Sequence, residues 1–167
     1  MAPPVKRGNI MKYLIGKSPV AKPLFVLSKL CLFVCVSFPL IKLYNSSIML
    51  YDGPLNNIIT SILLLIGAPI VAGGVISLGS STRVGLPEEK TKLKTDGLYG
   101  ISRNPIYLGG FILCLASCAF ALHIVNFICA ATTMIFHHQI VLAEETFLEN
   151  KFKDEWLEYR GKVRRYL

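Results

Sequence analysis

Residues 103–145 read RNPIYLGGFILCLASCAFALHIVNFICAATTMIFHHQIVLAEE. Arg103 opens the stretch and Glu144-Glu145 close it. Between them, from Ile106 to Ala143, lie 38 residues without a formal charge. That is too long for one membrane span of ~20 residues. It suits two short helices of ~18 residues, ~27 Å each at about 1.5 Å per residue. The midpoint between Arg103 and Glu144 falls on Leu122-His123-Ile124-Val125-Asn126, where polar residues allow a turn. The stretch therefore reads as a helical hairpin that returns Arg103 and both carboxylates to one membrane face. A polar cluster gathered in this way is a site rather than a packing pattern.

The rest of the chain agrees with a membrane setting. Of 167 residues, 53% are hydrophobic and 17% charged, above the roughly 45–50% apolar content of soluble domains. Mean hydropathy is +0.52. The net charge of +8 is not spread as a nucleic-acid-binding face would spread it. Lys6, Arg7, Lys12, Lys17 and Lys22 precede the first apolar run. Arg83, Lys90, Lys92, Lys94 and Arg103 fall in a central polar loop. Lys151, Lys153, Arg160, Lys162, Arg164 and Arg165 follow the last apolar run. The intervening connections carry only Lys42 and Asp52, or nothing. This alternation predicts both termini and the central loop on the cytoplasmic side, with an even number of spans. Membrane lipids with anionic headgroups are the expected partners of the basic flanks, and nucleic acid is excluded.

The expected fold is an all-α membrane protein: four transmembrane helices with a C-terminal amphipathic helix. The first runs from about Leu24 to Leu43, with Lys29 placed to snorkel. The second covers about Leu55 to Leu78 and carries Gly67, Pro69, Gly73 and Gly74, a pattern for a kink or a close helix contact. Residues 1–79 form a segment with these two helices. Residues 80–167 add the polar loop, the hairpin and the tail as one integrated domain. The tail from Glu144 to Val163 carries Leu148, Phe152, Trp156, Tyr159 and Val163 at steps of three or four, an amphipathic helix lying at the interface or over the hairpin mouth. No cleavable leader is read at the N-terminus. Asn45-Ser46-Ser47 is a glycosylation sequon set close to a membrane end.

At the hairpin entry, Pro105 suits the first helical position and makes Asn104 the natural N-cap. Free N–H groups there can hold an anionic or acceptor group. The Arg103 fork suits a carboxylate or phosphate. Tyr99 lies between Gly97 and Gly100, and Tyr107 precedes Gly109-Gly110, so a flat heterocycle fits between the rings. At the exit, Glu144-Glu145 is unfavourable against a helix C-terminal dipole unless one carboxylate receives a cation or amine. His137 and His138 lie two turns before Glu144 and Glu145. Adjacent histidines diverge by about 100° on a helix, so no metal site is expected of them. Cys31, Cys35, Cys114, Cys118 and Cys129 all sit in apolar runs and read as small buried hydrophobes.

These residues carry a resemblance. Arg-x-Pro-x-Tyr-Leu-Gly opening a membrane helix, Glu-Glu closing the next, and Phe-x-x-x-Trp-Leu-x-Tyr in the tail resemble the isoprenylcysteine carboxyl methyltransferase and phospholipid N-methyltransferase superfamily, over about Gly79 to Leu167. The resemblance implies an integral membrane methyltransferase that uses S-adenosylmethionine. It carries the cofactor role onto Thr91, Lys92, Leu93, Lys94, Tyr99, Asn104, Pro105, Ile106, Tyr107 and Glu144, with Arg103 beside them. The family commonly has His where this chain has Asn104; both offer a nitrogen donor. Isoprenylcysteine enzymes place an arginine against the substrate carboxylate where this chain has Ile140. Ile140 thus favours a lipophilic acceptor with an amine or hydroxyl, with an isoprenylcysteine-like carboxylate kept as a further candidate acceptor. Arg103, His137, His138 and Glu145 are the catalytic candidates, and the sequence does not choose among them. Two alternatives stand beside this reading: a nicotinamide-dependent membrane reductase, whose helical hairpin is similar, and a non-catalytic membrane adaptor.

Overall fold

The computed structural model describes residues 22–78 and 92–167. It contains α1 (Lys22–Tyr44), α2 (Pro54–Leu78), α3 (Pro105–Phe120), α4 (Ile124–Phe152) and α5 (Asp154–Lys162). Short 3-10 turns occupy Ser46–Ile48 and Gly97–Gly100. The described residues hold no strand, only isolated bridges between Tyr51 and Leu122 and between Ser102 and Arg164. The all-helical expectation is met. Thr91 and most of the expected polar loop lie outside the described residues.

Three helices are long and apolar enough to cross a membrane: α1 over Val26–Tyr44 with 19 residues, α2 with 25 and α4 with 29. The fourth, α3, is apolar but has only 16 residues, so four full-length spans are not what the structure shows. The hairpin turn falls where the charge pattern puts it, yet the arms are unequal. Asn126 explains the early end of α3. It is fully buried and donates to the carbonyls of Ser117 and Ala121, at 3.1 Å each, and to Ser117 Oγ at 3.2 Å. The bond to Ala121 satisfies a carbonyl that the helix end leaves open, while the Ser117 carbonyl also takes the Ala121 N–H at 2.8 Å. Lys42 Nζ adds a bond of 2.9 Å to the Phe120 carbonyl and pairs with Asp52 at 2.7 Å. Lys42 is thus buried, not a free loop charge.

The other arm runs long. No helix begins at Glu144; α4 passes through it to Phe152. The chain breaks at Lys153, whose φ of 46° is left-handed, and restarts as α5. The expected single tail helix is therefore split, because its apolar spacing continues through a residue that leaves helical geometry. Glu144 and Glu145 sit inside a helix, so the dipole conflict is removed.

Packing is paired: α2 lies chiefly against α3, and α1 against α4. The glycines of α2 serve close contact. A Cβ on Gly109 would stand 2.9 Å from the Gly67 carbonyl oxygen and from the Val71 nitrogen, so backbones meet there. Cys35, Cys114, Cys118 and Ala130 form one small apolar cluster, the role expected of these three cysteines, whereas Cys31 and Cys129 are only half-buried. On the same helices, Ser117 Oγ donates to the Cys35 carbonyl at 2.5 Å.

Candidate functional site

The α3 entry is built as expected at its first position but differently at its cap. Pro105 opens the helix and is buried, while the Asn104 side chain makes no capping bond. Its amide instead donates 2.9 Å to Glu145 Oε1 and 3.4 Å to the Arg165 carbonyl. The Ser102 hydroxyl takes the Asn104 N–H at 3.2 Å. The buried carboxylate of Glu145 is the stronger claimant on the amide.

Glu145 is the centre of a closed polar hub. Arg103 meets it through Nε to Oε1 and Nη2 to Oε2, both 3.2 Å, in a forked pair. Arg165 adds Nε and Nη2 to Oε2, at 3.1 and 3.0 Å. The remaining Arg103 nitrogen, Nη1, donates to the carbonyls of Arg160 and Val163 at 3.1 and 3.0 Å. The guanidinium also lies over Trp156, 5.6 Å from the ring centroid. All three Arg103 nitrogens are spent inside the protein, so its fork is not open to a ligand carboxylate.

The tail holds this hub from outside. Arg103 N–H donates to the Arg164 carbonyl at 2.9 Å, and Ser102 Oγ donates to the Arg165 carbonyl at 3.2 Å. Trp156 and Tyr159, from the expected apolar stripe, are buried against each other edge-on. Tyr159 donates 2.6 Å to the Tyr99 carbonyl.

Beside the closed hub is an open group. Tyr107 donates 2.9 Å to Glu144 Oε1, joining the hairpin entry to its exit. Glu144 is exposed, and its second oxygen has no protein partner among the described residues. Tyr99 sits in the turn that Gly97 enters at φ 62°, a conformation suited to glycine. Burial, with Tyr159 and Glu144 adding to it, pushes the Tyr99 hydroxyl up to about 12. Tyr99 therefore stays neutral and can donate. Tyr107 and Glu144 are bonded directly, and Tyr99 lies within electrostatic reach of both. Ile106 lies against α2 at Gly74. Lys94 pairs with Asp96 at 2.9 Å, Leu93 is half-buried and Lys92 is exposed.

The two histidines part company. His137 Nδ1 lies 2.8 Å from the Thr133 carbonyl and 3.2 Å from Ser28 Oγ, and Nε2 lies 3.5 Å from Lys29 Nζ. His138 Nδ1 lies 2.8 Å from the Tyr166 hydroxyl. Tyr166 also meets Phe111 edge-on, at 5.6 Å between centroids. Ile140, one turn before Glu144, is half-buried.

Sequence reading missed Asn104 as a hub donor, Arg165 as its second cation and Tyr166 as a histidine partner. The signal available was the pair of adjacent carboxylates, which needs more positive partners than Arg103 alone. Arg164-Arg165 was read with the basic flank, because charge clusters beside a membrane run look alike whether they face lipid or protein.

Among protein-family models, the chain matches phospholipid methyltransferase over residues 55–155. No curated protein and no solved structure matches it. The matched region starts within α2, so the second helix belongs to the family unit, which the motif resemblance from Gly79 onward had left out. It ends at Glu155, before Arg165, which binds Glu145 from the tail.

Proposed function

This chain belongs to the phospholipid methyltransferase family, and from that premise we propose that it transfers a methyl group from S-adenosylmethionine to a lipophilic acceptor, a lipid amine or hydroxyl. The observation that carries the reading is the Tyr107–Glu144 contact, which joins the two ends of the hairpin within the matched residues and leaves one carboxylate oxygen unspent.

The residues fit the cofactor chemically. Glu144 can accept from an amine or from ribose hydroxyls. Tyr99 and Tyr107 offer ring faces to a cation and a flat heterocycle. When bound, the cofactor supplies an electrophilic methyl group on a sulfonium. The protein's part is to align the donor with the acceptor and to exclude water. In this reading Arg103 and Glu145 are positioning residues: their pair fixes the α3 entry against α4. Ile140 is an apolar wall for the acceptor. Lys92, Leu93 and Lys94 approach the cofactor from the loop, and the resemblance gives Thr91, outside the described residues, the same role.

We place α3 across the membrane as a fourth, short span. At about 1.5 Å per residue it covers ~24 Å, under the ~30 Å hydrocarbon thickness. Its ends carry the Arg103–Glu145 hub on one side and the Lys42–Asp52 pair on the other, which fits a crossing where the bilayer is locally thinned. The basic flanks put the hub and both termini on the cytoplasmic side.

The test is calorimetric titration of the detergent-purified protein with S-adenosylmethionine and, separately, with a reduced nicotinamide cofactor. Saturable binding of the first alone is expected. Glu144→Ala removes a charged acceptor and weakens that binding by roughly 10- to 100-fold, with helicity unchanged. Unaltered affinity in Glu144→Ala would take that residue out of the cofactor site.

A further inference from the structure

A methyl acceptor with an N–H or O–H must give up its proton, and apart from Glu144, assigned to the cofactor above, four side chains near the hairpin mouth have the chemistry or charge to assist. Three are already engaged. Arg103 spends all three nitrogens on protein acceptors. Glu145 takes both arginines and Asn104 on its two oxygens. His137 has the Thr133 carbonyl and Ser28 at one ring nitrogen and Lys29 at the other. His138 differs: Nδ1 has Tyr166, and Nε2 has no protein partner among the described residues. The ring is half-buried.

Resting on the methyltransferase reading, we propose that His138 is the catalytic base for the acceptor, with Tyr166 as the positioning residue that fixes its imidazole. In this assignment His138 takes the tautomer that donates Nδ1–H to the Tyr166 oxygen, 2.8 Å away, which leaves the lone pair on Nε2, the open atom. The acceptor nitrogen or oxygen forms its bond to the methyl carbon as the carbon–sulfur bond breaks, with that electron pair going to sulfur. The proton of the acceptor passes to His138 Nε2. An orienting partner on one ring nitrogen and an open second nitrogen is the arrangement general-base catalysis needs.

Tyr166 is placed by the tail strap rather than by the hairpin. Arg165 anchors on Glu145, the backbone at 164 and 165 pairs with Arg103 and Ser102, and the next ring lands between Phe111 and His138. The strap lies outside the residues 55–155 that match the family. The base therefore comes from the family unit, and the group that orients it from beyond that unit.

The experiment uses the full chain in nanodiscs made from a total membrane lipid extract, with S-adenosylmethionine labelled in its methyl group, and counts label in the extracted lipid. Cofactor affinity is measured in parallel. His138→Gln is expected to lower kcat by about 100-fold with cofactor affinity unchanged. Tyr166→Phe keeps the ring against Phe111 and removes the hydroxyl; it lowers kcat by about 10-fold without raising KM. Diethyl pyrocarbonate followed by mass spectrometry reads the open nitrogen directly, with His138 modified ahead of His137. A wild-type kcat in His138→Gln, a loss of cofactor binding in that variant, or modification of His137 first would each overturn the assignment. Wild-type protein that neither binds the cofactor nor labels lipid would instead overturn the methyltransferase reading, and the assignment with it.

Discussion

Glu145 accepts five nitrogen contacts from Arg103, Asn104 and Arg165, and it is only 8% exposed beside an Arg103 that is 7% exposed. Neutralising it leaves buried cationic charge uncompensated. Glu145→Gln should cost about 3 kcal/mol of stability, read as a lowered melting temperature in detergent. An unchanged melt would mean that water already compensates the arginines. Tyr159 gives a second test. Burial, partly offset by Arg103, pushes its hydroxyl up to about 12, above the ordinary value near 10. Its bond to the Tyr99 carbonyl is complete below pH 10 and is lost as pH rises through 12. Tyr159→Phe should lose about 1 kcal/mol at neutral pH and show a smaller fall in stability between pH 10 and 12. At this scale the sequence made Glu144 and Tyr107 legible, because carboxylates and tyrosines at the ends of an uncharged run stand out. It could not tell which glutamate is spent and which is open, since that depends on where Arg165 lands.

At the scale of elements, the α2–α3 crossing is held by absent side chains. A Cβ at Gly109 would press on backbone atoms of Gly67 and Val71, which cannot rotate away, whereas a Cβ at Gly110 meets nothing within 4 Å. Gly109→Ala should therefore destabilise by about 1–3 kcal/mol, and Gly110→Ala should stay within about 0.5 kcal/mol of the parent. Equal melts for the two would remove the close crossing. The glycines of α2 announced this contact in the sequence, though not its partner helix. The hairpin turn was legible from charge alone. The α4–α5 boundary was not, because the apolar stripe runs evenly from Leu148 to Val163 and only the backbone at Lys153 departs from it.

Across the whole molecule, polarity collects at two ends. The Arg103–Glu145–Arg165 hub closes one, and Lys42 with Asp52 and the turn at Ser46–Ile48 closes the other. With α3 as a crossing helix, these ends face opposite aqueous phases. Ser47→Cys and Gly161→Cys, both at exposed positions, should react with a membrane-impermeant maleimide from opposite sides of sealed vesicles. Labelling from one side would collapse the four-span topology to an interfacial α3.

The hub also sets an order of events during synthesis. Arg103 and Glu145 are 42 residues apart and meet once the hairpin forms. The strap's bonds to Ser102, Arg103 and Asn104 span 60 to 63 residues and need the tail to have been made. Loop closure over that length comes after the local helices are in place. Until then Glu145 at the hairpin mouth is balanced by Arg103 alone, and His138 has no hydroxyl to hold it. Hairpin insertion and strap closure are thus two separate steps for one chain, and a pulse-chase comparison of protease protection at the hairpin with that at the tail would resolve the interval between them.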